Sequence, residues 1–209
     1  MDECVGHMTE KVIIPPPEEI KIYPRRFTDL SPEEYLPFKA DGSMIPDIIE
    51  FGKGYKIHVT GLTHDERGYP VMSPEAQECL VRRIVDKIRL NADEIIHMEE
   101  RDIDNADVIV VSYGITSRVT QPAIIRARRE GIHVGHIKLV TIWPFPEKRI
   151  RELAEQVKAF VVPEINYGQI VLEVERAAAG KAKSYLVPHG GGWVHDPGDI
   201  YKVIMEAAS

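Results

Sequence analysis

At 209 residues the chain can hold one full domain with a substantial extra segment, or two small domains. Its 26 Lys and Arg against 33 Asp and Glu give a formal net charge of −7, which argues against nucleic acid as a partner, because phosphate neutralisation supplies most of a nucleic-acid binder's affinity. A hydrophobic fraction of 44% is ordinary for a globular chain, and the longest wholly aliphatic run, Val108 to Val111, falls far short of the ~20 residues that span a bilayer.

Met1-Asp2-Glu3 has neither a basic region nor an apolar stretch after it, so export is not expected and a cytoplasmic location is. Cys4 and Cys79 then read as reduced thiols. They form no CxxC, so this chain is expected to ligate no iron–sulfur cluster by itself.

Eight of the fifteen prolines fall between Pro15 and Pro70. Proline fixes φ and removes a donor, so residues 15–72 are expected to be extended and irregular, a linker after a short head at 1–14. One strand is expected inside the linker, where Tyr55, Ile57 and Val59 alternate with Lys56, His58 and Thr60. The stretch from Gly61 to Pro70 reads as a long turn.

From Ser73 to the end at 209 the signals become regular. Ser73 is placed to cap a helix that opens on Pro74 and Glu75, with Leu80, Val81, Ile84, Val85 and Ile88 as its apolar stripe. Four strand–helix units follow. Strand 107–112 leads to helix 118–130, where Pro122 sits awkwardly; strand 134–142 leads to helix 146–157. Strand 159–163 leads to helix 168–179, and strand 183–187 to helix 197–207, capped by Asp196. Alternating strands and helices predict an α/β domain, a mostly parallel sheet with helices on both faces. Val108–Val111 and Phe160–Val162 are apolar on both faces, as central strands are.

In such a sheet, ligands and partners meet the carboxy ends of the strands. Here those ends gather Tyr113, Gly114, Thr116, Ser117 and Arg118; Trp143 and Phe145; Glu164, Asn166, Gly168 and Gln169; and His189 and Trp193. Plainer readings stand beside this one. Thr116 or Ser117 can simply cap a helix, and Asn166 with Gln169 has the spacing of a capping box. Gly190–Gly192 can be a turn, since no Gly-Lys-Ser/Thr follows to make a phosphate loop. His64, Asp65 and Glu66 are adjacent and point in different directions, and His133, His136, His189 and His195 lack ligand spacing. There is no GxSxG elbow. No catalytic residue, cofactor site or metal site is expected, and the strand-end residues form a candidate docking edge.

Several stretches resemble one family. Asp2–Val12, the segment Thr60–Pro70, Tyr113-Gly114, Ile142–Pro146 and Glu164–Gln169 are similar, in that order, to the alpha subunits of 2-oxoacid:ferredoxin oxidoreductases, and 60–70 resembles the 2-oxoglutarate branch in particular. The resemblance implies a transketolase carboxy-terminal-like fold for 73–209 and makes residues 1–14 the tail of a thiamine-binding domain. It further implies oxidative decarboxylation of a 2-oxo acid to its acyl-coenzyme A ester, with ferredoxin as electron acceptor. Thiamine diphosphate, magnesium and iron–sulfur clusters would belong to the complete complex, where a beta subunit and other subunits are the partners. No GDG diphosphate motif or cluster cysteines are present to carry those roles here. Two other readings are a free-standing interaction or regulatory module, and a small nucleotide-binding α/β domain using the 114–118 and 190–192 loops.

Overall fold

The computed structural model of the chain describes residues 3–209, with Glu3 and Cys4 described by their backbone, so the Cys4 thiol lies outside the described residues. Two compact units emerge: Lys11–Asp93, and a second made of Glu94–Ser209 together with the described head residues up to Glu10. This division differs from the expected boundary at 73. The helix capped by Ser73 belongs with the proline-rich stretch, and the described head residues belong with the α/β unit.

The α/β unit contains helices α1 (Glu3–His7), α3 (Ala92–Ile95), α4 (Thr116–Arg129), α5 (Glu147–Ala154), α6 (Ile170–Ala178) and α7 (Pro197–Ala208). The helix α2 (Pro74–Arg89) lies in the other unit, and α3 straddles the junction between Asp93 and Glu94. The strands are β1 (Met98–Arg101), β2 (Val108–Tyr113), β3 (Val134–Leu139), β4 (Ala159–Glu164) and β5 (Lys183–Pro188). They form one sheet in the order β1-β3-β2-β4-β5. All pairs are parallel except the edge pair β1–β3, which runs antiparallel from Met98↔Leu139 to Arg101↔His136.

Strand alternation builds two cores. Ile109, Val111, Ile137, Phe160 and Val162 face Ile150 and Leu153 of α5 and Ile170 and Val174 of α6. On the other face Val108, Val110, Val134 and Val161 meet Ala123, Ile124 and Ala127 of α4 and Ile200 and Ile204 of α7. This two-sided burial is why β2 is apolar from Val108 to Val111 and β4 from Ala159 to Val162. Asp196 caps α7 by accepting from the Gly198 amide at 2.7 Å. Pro122 occupies the interior of α4 and not its first turn.

The 11–93 unit is built otherwise. Its one long element is α2, capped by the Ser73 hydroxyl accepting from the Ala76 amide at 3.2 Å. The expected strand at 55–60 does not form. Its alternation finds no neighbouring strand; Tyr55 donates its hydroxyl proton to the Leu30 carbonyl at 2.6 Å instead, and His58 stacks on Tyr69 with ring centroids 4.6 Å apart. The turn expected at 61–70 is closed by Asp65, whose carboxylate accepts from the Arg67 and Tyr69 amides. Gly68 at φ +87° completes it, and a Cβ there would stand 2.1 Å from the His58 carbonyl oxygen. Arg26 ties the segment across sequence, donating to Asp47, to Asp41 at 2.8 Å and to the Ile45 carbonyl at 2.7 Å.

Candidate functional site

Because β2, β3, β4 and β5 run parallel, the loops after them share one edge of the sheet. Neighbouring strands sit about 4.8 Å apart. The loops carrying Trp143 (after β3) and Trp193 (after β5) therefore start roughly 14 Å apart across that edge. The connections leave β2 toward α4 on one face and β4 toward α6 on the other, so the β2/β4 boundary is the topological switch point where an open α/β sheet offers its crevice. The strands part there: β2 and β4 pair from Val108↔Ala159 only as far as Val110↔Val161.

The chain closes this crevice with its own side chains. Glu164, fully buried at the end of β4, accepts from three successive amides at the start of α6: Gln169 at 3.2 Å, Ile170 at 2.9 Å and Val171 at 2.8 Å. Those are donors that a helix start leaves without intrahelical partners. Tyr113 from β2 donates its hydroxyl to Glu164 at 3.3 Å, and the Asn166 amide donates to Glu164 at 3.1 Å and to the Tyr113 oxygen at 3.2 Å. Asn166 also accepts from the Gly168 amide at 2.7 Å. Gly168 adopts φ +111°, and a Cβ would press on Leu186 and Val171. The capping box expected from Asn166 and Gln169 is therefore not what forms; Gln169 makes no side-chain cap, and Glu164 caps α6 from the preceding strand.

Burial sorts the other strand-end residues. Thr116 and Ser117 are buried, Thr116 donating to the Tyr113 carbonyl at 2.8 Å. Phe145 enters the α5/α6 core. The edge exposes Gly114, Arg118, Gln169 and the two tryptophans, Trp143 at 64% and Trp193 at 78%. Tyr167, which sequence reasoning passed over, is 82% exposed and its hydroxyl end lies over Gly190, where a Cβ would come within 2.6 Å. Its sequence signal was its place within the Glu164–Gln169 strand-end segment, next to Gly168. His189 is half-buried and tilts against buried His195, ring centroids 5.2 Å apart, with His195 hydrogen-bonded to the Val187 carbonyl at 2.9 Å. Burial pushes the His195 pKa down from its ordinary value.

A second polar group lies under α4. His136 of β3 meets Ser112 at 2.7 Å and Gln121 at 3.0 Å, and Ser112 reaches Ser117 at 3.0 Å. Gln121 also donates to the Ser117 carbonyl at 3.3 Å, so both ring nitrogens of His136 have neighbours within the same polar group. Burial, followed by the charges of Arg101 and Arg128, pushes the His136 pKa down to about 4.

Among the described residues no group of three or more His, Cys, Asp or Glu side chains is placed to hold a metal, and Cys79 stands exposed and alone. The donor set fits neither an iron–sulfur cluster nor the magnesium of thiamine diphosphate.

Residues 106–200 match the pyruvate:ferredoxin oxidoreductase core domain II. The 2-oxoglutarate synthase subunit KorA of Methanothermobacter marburgensis is 46% identical over 205 residues, 98% of this chain. The chain belongs to the 2-oxoacid:ferredoxin oxidoreductase family. KorA of Methanocaldococcus jannaschii is 44% identical over 98% of this chain. The chain spans about half the length of these curated relatives, 54% of each. Among solved structures, the 2-oxoglutarate:ferredoxin oxidoreductase from Magnetococcus marinus, with 2-oxoglutarate, coenzyme A and succinyl-CoA bound, superposes with a TM-score of 0.77 at 26% identity, covering 93% of this chain and 34% of that one. The resemblance drawn from the 60–70, 113–114, 142–146 and 164–169 segments agrees with these matches, as does the mostly parallel sheet.

Proposed function

We propose that this chain supplies a scaffold and docking portion of the alpha subunit of a 2-oxoglutarate:ferredoxin oxidoreductase. The assembled enzyme would decarboxylate 2-oxoglutarate oxidatively, pass two electrons to ferredoxin and transfer the acyl group to coenzyme A. Thiamine diphosphate, magnesium and iron–sulfur clusters would be held by other parts of that complex, which would work in the cytoplasm. No described helix is long and apolar enough to cross a membrane.

The observation that carries the docking reading is the closed switch-point crevice. Tyr113, Glu164 and Asn166 fill the place where an open α/β sheet would take a small ligand. Around that plug the edge offers exposed aromatics, Trp143, Tyr167 and Trp193, of the kind enriched at the centres of protein interfaces. The partners proposed are the beta subunit and the other subunits of the enzyme.

The test is co-purification of the chain with the beta subunit, comparing the natural sequence with Trp143→Ala, Trp193→Ala and Gln169→Ala. Exposed aromatic anchors at an interface should each weaken association at least tenfold, while circular dichroism of the chain alone stays unchanged. Association unaltered by all three substitutions removes the edge from the interface.

A further inference from the structure

On the α4 face of the sheet, α4 packs on β2 and β3, and α7 packs on β2, β4 and β5. A cavity of ≈ 370 Å³ opens there, lined by Val5, Arg101, Gly114, Ser117, Arg118, Gln121, His136 and Lys138. That size is at the small end of the ~300–1,000 Å³ typical of small-molecule sites. Gly114, Ser117 and Arg118 belong to the strand-end edge described above, while Tyr113, Glu164 and Asn166 of the crevice plug are not among the lining residues.

Three cationic side chains from three different elements converge on this cavity: Arg101 from β1, Lys138 from β3 and Arg118 from α4. Among the described residues two carboxylates meet them. Glu99 is shared, accepting from Lys138 at 2.6 Å and from Arg101 at 3.1 Å. Glu10 takes Arg118 in a two-pronged contact, 2.7 Å to Nη1 and 3.2 Å to Nη2. Among the described side chains, three cations thus face two carboxylates, on a chain whose net charge is −7. The cavity floor agrees: after burial, the charges of Arg101 and Arg128 are what hold His136 neutral.

We infer that this cavity binds a small molecule bearing a phosphate group, held between Arg118 and the Arg101/Lys138 pair. Guanidinium groups match phosphate oxygens two at a time, and an ammonium adds a point charge, so the three together suit a phosphate dianion better than a single carboxylate. The helix start is not the holder: the Ser117 and Arg118 amides already donate to the Gly114 and Ile115 carbonyls. The carboxylate of Glu10 occupies the Arg118 fork that the phosphate would take, so ligand and Glu10 compete for one side chain. The Gln121 side chain offers polar contact to the rest of the ligand, beside Val5.

Inorganic phosphate, pyrophosphate and, as a phosphate-free control, succinate would be titrated against the full 209-residue chain at constant ionic strength, with binding read by isothermal calorimetry and by amide chemical shifts. Saturable binding of phosphate or pyrophosphate is expected, weakened at least tenfold by Lys138→Met and by Arg118→Gln. Glu10→Gln should tighten binding about threefold by freeing the Arg118 fork, a gain that a merely structural Arg118 would not produce. Lys202→Ala, whose partner is Asp199 on α7, should change nothing. No saturable phosphate or pyrophosphate binding overturns the inference, as does binding indifferent to Arg118 and Lys138, or succinate binding as tightly as phosphate.

Discussion

Residues 11–93 and 94–209 are made from the same alphabet and hold themselves together by different means. In the second stretch, strand alternation and helical stripes converge on two apolar cores with Ile109, Ile137, Phe160, Ile200 and Ile204 fully buried. In the first, Gly68 alone is buried. Apolar side chains are plentiful there, but Ile14, Ile22 and Phe51 stand 82%, 81% and 90% exposed. Turn carboxylates, aromatic contacts and the Arg26 fork set its path instead. Apolar content makes a core only where secondary structure gives it a repeating face to bury; without that face it remains surface, of the kind that partner proteins cover.

The contrast can be broken from the α/β side first. Glu164→Ala should destabilise the chain by about 3–4 kcal/mol in urea unfolding, because it strips two buried amides and one half-buried amide of their acceptor and opens the crevice plug. A loss below about 1 kcal/mol would mean water replaces the carboxyl group without cost.

Acid should act next. The His136 pKa is depressed to about 4 in the fold against an ordinary 6.5, so the unfolded chain binds this proton first. The resulting stability is complete above about pH 6.5 and is lost as pH falls toward 4, by roughly 3 kcal/mol at most. His195, shifted the same way, adds to the slope. His136→Gln should flatten the pH dependence of the urea midpoint between pH 7 and 4; an unchanged slope would contradict the buried neutral imidazole.

In the proline-rich unit the most damaging single change should be Gly68→Ala, about 1–3 kcal/mol, since φ +87° and the His58 carbonyl both oppose a Cβ. Limited proteolysis should report it as faster cleavage within 58–70, with the α/β unit unaffected. Ile22→Ala marks the floor of the comparison: at 81% exposure it should shift the urea midpoint by less than about 0.5 kcal/mol.

What the sequence disclosed follows the same division. Apolar periodicity and cap residues located α2 and four strand–helix units to within a few residues, because Ser73, Asp196 and the stripes act locally. Edge strand β1 was missed: Met98-Glu99-Glu100-Arg101 shows no alternation, and its charges are the sort that protect an edge, Glu99 pairing across to Lys138. The strand expected at 55–60 failed for the opposite reason, an alternating pattern with no sheet to join. At the candidate site, the Glu164 hub was hidden because its donors lie five to seven residues ahead, beyond the reach of capping rules. The convergence of Arg101, Arg118 and Lys138 was equally hidden, since only the antiparallel β1–β3 pairing brings the first to the third.

The most direct measurement is 2-oxoglutarate-dependent reduction of a viologen dye, with coenzyme A present, by the purified chain before and after mixing with the remaining subunits of the oxidoreductase. The chain alone should reduce none, and activity should appear only in the mixture. Turnover by the isolated chain would contradict the account, because it would place the redox chemistry within residues assigned here to scaffolding.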